Sequence, residues 1–149
     1  MKTNVPITEK PAIAISGGYA SCLPLRLALK AKWFEMTKSG EKKEDYREIN
    51  EYWIKRFTRN EINLSIEEIM LGLCALRDGY SEEHVWDVYG FCLRNFDENI
   101  MTLGYPKKDN LERIVKFVHN GIKIGCGNPD WGADPGKIYF VIMHGDSVA

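Results

Sequence analysis

Leucines recur at 23, 25, 27 and 29, with Arg26 between them and Lys30 after them. A two-residue period of this kind predicts a half-buried strand. The pattern changes after Lys30. Trp33, Phe34 and Met36 begin a helical stripe, and Ser39-Gly40 ends it as a C-terminal glycine does. Lys43 to Glu48 then reads as an extended, highly charged strand. Asn50 to Arg59 predicts a helix with Tyr52, Trp53 and Phe57 inward and Lys55, Arg56 and Arg59 outward.

A helical hairpin is expected next. Ser65-Ile-Glu-Glu68 is a capping box, and Ile66, Ile69, Met70, Leu73 and Leu76 form an apolar face that stops at Asp78-Gly79. Ser81 opens a second helix with Val85, Val88, Tyr89, Cys92 and Phe96 at helical spacing. Strands return at Asn99 to Leu103, before the turn Gly104-Tyr105-Pro106. Arg113 to Val118 fits a strand or an amphipathic helix by periodicity alone. Asn120-Gly121 is a strong hairpin signal, with Ile122 to Ile124 as the returning strand. Residues 125–136 read as a rigid irregular loop, and Lys137 to Met143 as a closing strand. At the other end, Ala12 to Ser16 predicts a short strand, and Ser16-Gly17-Gly18 a plain turn rather than a phosphate loop, because no Gly-Lys-Ser/Thr follows.

With 149 residues the chain suits one domain, 1–149, with one core. No apolar run approaches the roughly 20 residues of a membrane helix, and MKTNVPITEKP lacks the apolar stretch of a secretory signal. Cys22, Cys74, Cys92 and Cys126 show no C-x-x-C pairing, so reduced, mostly buried thiols and a cytoplasmic location are expected. His84, His119 and His144 form no metal-binding motif, and neither a metal nor a cofactor is expected. The net charge of −1 conceals a division: residues 26–59 carry ten Lys/Arg against six Asp/Glu, whereas residues 60–100 carry two against nine. That excludes a globally basic nucleic-acid coat and leaves room for a local basic cleft.

The run from Lys30 to Arg56, K-x-K-W-F-x-M-x-x-S-G-E-K-K-x-x-Y-R-E-I-x-x-Y-W-x-K-R, resembles the ASCH domain, a small β-barrel of the PUA-like superfamily. The resemblance resumes at Gly104-Tyr105, at GCGNPDW from Gly125 to Trp131, at Gly132-Ala133, and at Pro135-Gly136 before IYFVIM. It implies an α+β fold: a PUA-like barrel with flanking helices, into which residues 60–95 are inserted as a lid, a partner-binding surface or additional core.

Lys30, Lys32, Lys42, Lys43 and Arg47 are cations close together in sequence, and Lys42 and Arg47 flank Glu44, Asp45 and Tyr46. Donors, acceptors and an aromatic ring in so short a reach suit a nucleobase with its phosphate. Trp53, Tyr105 and Trp131 are candidate stacking surfaces for single-stranded RNA. The resemblance places the N-P-D-W-G loop near the basic turn, where Asn128, Asp130 and Trp131 would complete the pocket. RNA, a nucleoside or a nucleotide is therefore the expected ligand, and the acidic hairpin offers a surface for a protein partner.

Whether the chain is an enzyme stays open. Some ASCH proteins resemble amidohydrolases that deacylate the exocyclic amine of cytidine with a Lys, a Thr three residues later and a Glu. Here Gly40-Glu41-Lys42 is present, but Asp45 stands where the Thr would be. Lys42, Glu44 and Asp45 are the catalytic candidates for a hydrolase acting on such nucleosides or on RNA.

Overall fold

In a computed structural model, residues 23–148 are described. The strand expected at Ala12–Ser16, the turn after it and Cys22 lie outside them. The elements run β1 (Leu23–Leu29), α1 (Ala31–Lys38), β2 (Glu44–Glu48), α2 (Glu51–Phe57), β3 (Thr58–Arg59), α3 (Ile66–Arg77), α4 (Glu82–Tyr89), β4 (Cys92–Leu93), β5 (Phe96–Leu103), β6 (Ile114–Cys126) and β7 (Ile138–Ser147). Short 3-10 turns stand at Leu111–Arg113 and Pro129–Trp131. This is an α+β fold in which five strands, ordered β1-β5-β6-β7-β2, curl into a half-barrel. β1 lies parallel to β5 and the other neighbours are antiparallel.

Local chemistry accounts for most boundaries. Gly40 takes φ +88 after α1, and the Asn50 side chain accepts from Trp53 N at 3.0 Å to start α2. The Ser65–Glu68 capping box is formed in both directions. One core joins the sheet to the helices: Leu25, Leu27, Leu29, Met101, Ile122, Ile124, Phe140 and Ile142 from strands meet Phe34, Ile54, Phe57, Ile69, Leu73 and Val85 from helices.

Several expectations are corrected. Tyr52 points outward, 59% exposed, because a seven-residue helix buries only the narrow face carrying Ile54 and Phe57. The second hairpin helix stops at Gly90, φ +87, so Cys92 and Phe96 lie on strands and Val88 faces outward. Phe91, just past that stop, packs so close over Gly72 that a Cβ there would lie 2.3 Å from its ring. Residues 60–95 thus supply part of the common core.

Asn120-Gly121 makes no hairpin. β6 runs straight through it for 13 residues, and its pairing with β7 slips between Phe117 and His119 and again between His119 and Ile122. Gly121, φ +102, serves a bulge, which needs the same left-handed glycine as a tight turn. The extra residue switches parity, so that Ile122 and Ile124 face the same core as Val115 and Phe117. Barrel closure also differs from expectation: edge strands β1 and β2 are not hydrogen-bonded to each other. Cys126 is exposed, Cys74 half-buried and Cys92 buried.

Candidate functional site

Positively charged side chains occupy the seam between the two edge strands. Edge carbonyls need donors where no further strand supplies them. Lys42 Nζ donates to Glu44 O at 2.6 Å on the β2 side. On the β1 side, Arg47 donates to Ala28 O at 3.2 Å and Arg56 to Arg26 O at 3.4 Å. Asp45 lies between two of these cations: Oδ1 is 3.1 Å from Lys42 Nζ, and Oδ2 accepts from Arg47 Nε at 3.0 Å. Lys42 and Asp45 are buried. Burial lowers the Lys42 pKa from its ordinary value, and the Asp45 charge opposes that shift.

Alternation along β2 gives its two faces different work. Asp45 and Arg47 pair across β7 with Ile142 and Phe140, on the core side. Glu44 and Tyr46 face the other way. Tyr46 donates to Glu44 Oε1 at 2.8 Å, while the Asn128 backbone N–H donates to Tyr46 Oη at 2.9 Å. Burial raises the Tyr46 pKa. The loop approaches so closely that a Cβ on Gly127 would lie 2.6 Å from the Tyr46 ring. The N-P-D-W-G loop therefore does lie beside the basic turn, but against the Tyr46 face. Asn128 Oδ1 is committed to the Asp130 N–H at 2.9 Å; Asp130 is exposed and Trp131 half-buried.

The five expected cations do not converge. Lys30 and Lys32 are exposed at the start of α1, a helix of about 12 Å, and Lys42 follows its far end. Lys32 lies over the Trp33 ring, and Lys43 is exposed. Trp53 is not a free stacking face: Phe57 stacks on it at 5.2 Å, and the Arg47 and Arg56 guanidinium groups lie 5.0 and 5.2 Å from its centroid. Tyr105 is 95% exposed and lies beside Arg26 and Ala28 of β1.

Three residues that the sequence did not single out as a group adjoin Asp45 on the core side. Asn99, fully buried on β5, links His119 of β6 to His144 of β7. Its Nδ2 donates to Met143 O at 3.1 Å and lies 2.8 Å from His144 Nδ1, and its Oδ1 lies 2.6 Å from His119 Nδ1. A carbonyl only accepts, so Met143 orients the amide, and the amide assigns both tautomers. His144 Nδ1 accepts, which puts its proton on Nε2. His119 Nδ1 donates, which leaves its Nε2 as an acceptor. The His144 Nε2–H is buried and has no hydrogen-bond partner among the described residues. Burial lowers both imidazole pKa values, that of His144 to about 4, and the charges of Asp45 and Lys42 act on His144 with opposite sign. The available signal was a polar residue at a core-facing position on each of three apolar strands.

Among the described residues, no group of His, Cys, Asp and Glu is arranged to hold a metal, and no helix is long and apolar enough to cross a membrane. Comparison with family models, curated proteins and solved structures finds no match to this chain.

Proposed function

We propose that this chain is an RNA- or nucleotide-binding domain of the PUA-like, ASCH kind that its Lys30–Arg56 pattern resembles, reading a neutral heterocycle beside the Lys42–Asp45–Arg47 network. The observation that carries this is the His144 Nε2–H, held in that tautomer by Asn99 and without a hydrogen-bond partner among the described residues; it is buried, so a base reaches it only when the side chains covering it move aside. A buried donor without an acceptor costs about 1–3 kcal/mol, and a base carbonyl supplying the acceptor offsets that cost. The cations add little net charge, since Asp45 compensates Lys42 and Arg47. Directional hydrogen bonding, rather than a phosphate-attracting basic cleft, is what this region offers a ligand. The test is a nitrogen-15 NMR titration of the histidine side chains with cytidine, uridine and adenosine. The expected result is a shift of the His144 Nε2 signal with the carbonyl-bearing pyrimidines and none with adenosine. An unmoved His144 signal with all three overturns the proposal.

A hydrolase acting on acylated cytidine or on RNA is the second reading. It is favoured by the lowered pKa of Lys42, which brings its amine nearer to the nucleophilic form, 3.1 Å from a carboxylate oxygen. His144 also stands within electrostatic reach of Lys42 and Asp45, where the sequence offered no neighbouring imidazole. Incubation with cytidine acylated on its exocyclic amine, followed by chromatography, decides it: release of free cytidine is the expected result, and unchanged substrate sinks it.

A further inference from the structure

The outward face of β1 and its neighbour β5 carries a second surface, since Ala28 pairs with Thr102. Arg26, Leu27, Ala28, Thr102, Tyr105 and Pro106 line a depression of about 190 Å³, on the scale of one base rather than of a large ligand. Thr102 Oγ1 donates to Gly104 O at 2.7 Å and shapes the turn that presents Tyr105. Both Tyr105 and Arg26 are exposed, and the Arg26 guanidinium makes no ion pair or side-chain hydrogen bond among the described residues. Lys107 and Lys108 follow Pro106, both exposed, against the single acid Asp109. On the other side of Arg26 lies Arg56, whose guanidinium is 6.0 Å from the ring of Tyr52, itself 59% exposed.

Tyr52, Arg56, Arg26, Tyr105 and the two lysines therefore make a strip in which cations alternate with exposed aromatic rings; one side of Tyr52 carries Arg56 and Trp53, while Tyr105 is 95% exposed. Such alternation is what a single-stranded polynucleotide needs, with bases on rings and phosphates on cations. Addition of a peptide strand fits less well, because Arg47 and Arg56 already occupy the Ala28 and Arg26 carbonyls of the β1 edge. Arg47 also ties the edge to the interior, since the same guanidinium holds Asp45.

We infer that a single-stranded polynucleotide crosses the outward face of β1 and β5, with Tyr105 and Tyr52 stacking bases and Arg26, Lys107 and Lys108 meeting phosphates. This deepens the binding function proposed above and rests on it: this face is the track, and the Asn99–His144 group reads one base.

The test is fluorescence anisotropy with a labelled RNA of about 12 nucleotides and its DNA counterpart. Salt is varied between about 50 and 200 mM, for the wild type, Arg26→Ala/Tyr105→Ala and Lys107→Ala/Lys108→Ala. All four side chains are exposed, so the variants are expected to melt as the wild type does. Each double variant should weaken binding about tenfold or more, and the lysine variant should also flatten the salt dependence by nearly two phosphate contacts. Cytidine binding, followed at His144, should be unchanged in both. Equal losses with RNA and DNA support the track and leave the sugar unread; a loss with RNA alone supports it and assigns the ribose. Wild-type affinity in both variants, with cytidine still bound, overturns the track and leaves the base site standing. Failure of the wild type to bind either polynucleotide also overturns the track, and the cytidine titration then decides the base site separately.

Discussion

β2 carries two arrangements of charge back to back. On its core side, Asp45 is held between Lys42, whose side chain is 1% exposed, and Arg47. On its other side, Glu44 accepts from the Tyr46 hydroxyl and lies 3.8 Å from Lys123, whose side chain is 54% exposed. Water screens the second arrangement and scarcely reaches the first. The same alternating run of charged residues therefore contains one network that the fold cannot lose and one that it can. Removing one member of a buried pair leaves an uncompensated charge, whereas exposed pairs contribute little.

The largest effect should come from Asp45→Ala, which strands both cations and should cost about 3–5 kcal/mol. Glu44→Ala on the opposite face should cost less than about 1 kcal/mol, and urea unfolding of the two variants measures the contrast directly. Equal losses would mean that the faces do not differ as described. A Lys42→Ala/Arg47→Ala variant should likewise be destabilised, because both residues are structural partners of Asp45.

Acid should weaken the core side next. Unfolded His144 takes up a proton at its ordinary pKa near 6.5, whereas the folded protein holds it neutral down to about 4. Stability from this group is complete above pH 6.5 and is lost as pH falls towards 4, a change on the order of 3 kcal/mol at most. His119 acts in the same direction. His144→Gln should flatten the slope of unfolding free energy across that window; an unchanged slope would place the effect elsewhere.

Smaller losses are expected on the Tyr46 side. Gly127→Ala would force the loop off the Tyr46 ring and the Ala133 methyl, costing about 1–3 kcal/mol in thermal melts. Tyr46→Phe removes the bond to Glu44 and the acceptor for Asn128 N, costing about 1 kcal/mol. If Tyr46→Phe proved worse than Asp45→Ala, the ranking of the two faces would be reversed.

Local signals were readable wherever one residue type satisfies one local demand. The leucines of β1, the Ser39-Gly40 stop and the Ser65 capping box all stand where their chemistry requires. Gly90 was equally local but was masked by helical spacing that continued through Cys92 and Phe96. Asn120-Gly121 failed for another reason: a left-handed glycine serves a turn or a bulge, and only the presence of β5 and β7 beside β6 selects the bulge. At the site, Lys42, Asp45 and Arg47 were legible as a charged cluster, but not as a buried one. His119 and His144 lie 20 and 45 residues from Asn99, and no local pattern joins them.

By itself, then, the amino-acid sequence determined the alternating strands, most helix limits, the division between a basic and an acidic stretch, and the charged run around Lys42. These follow from interactions within a few residues, which act in any context that keeps the chain in water. Only the tertiary structure decided which charges are dry, which carbonyls lack a strand partner, and which tautomer each imidazole adopts. Those properties depend on burial and on partners supplied by distant strands, and both come into being when the sheet curls and the helices cover it.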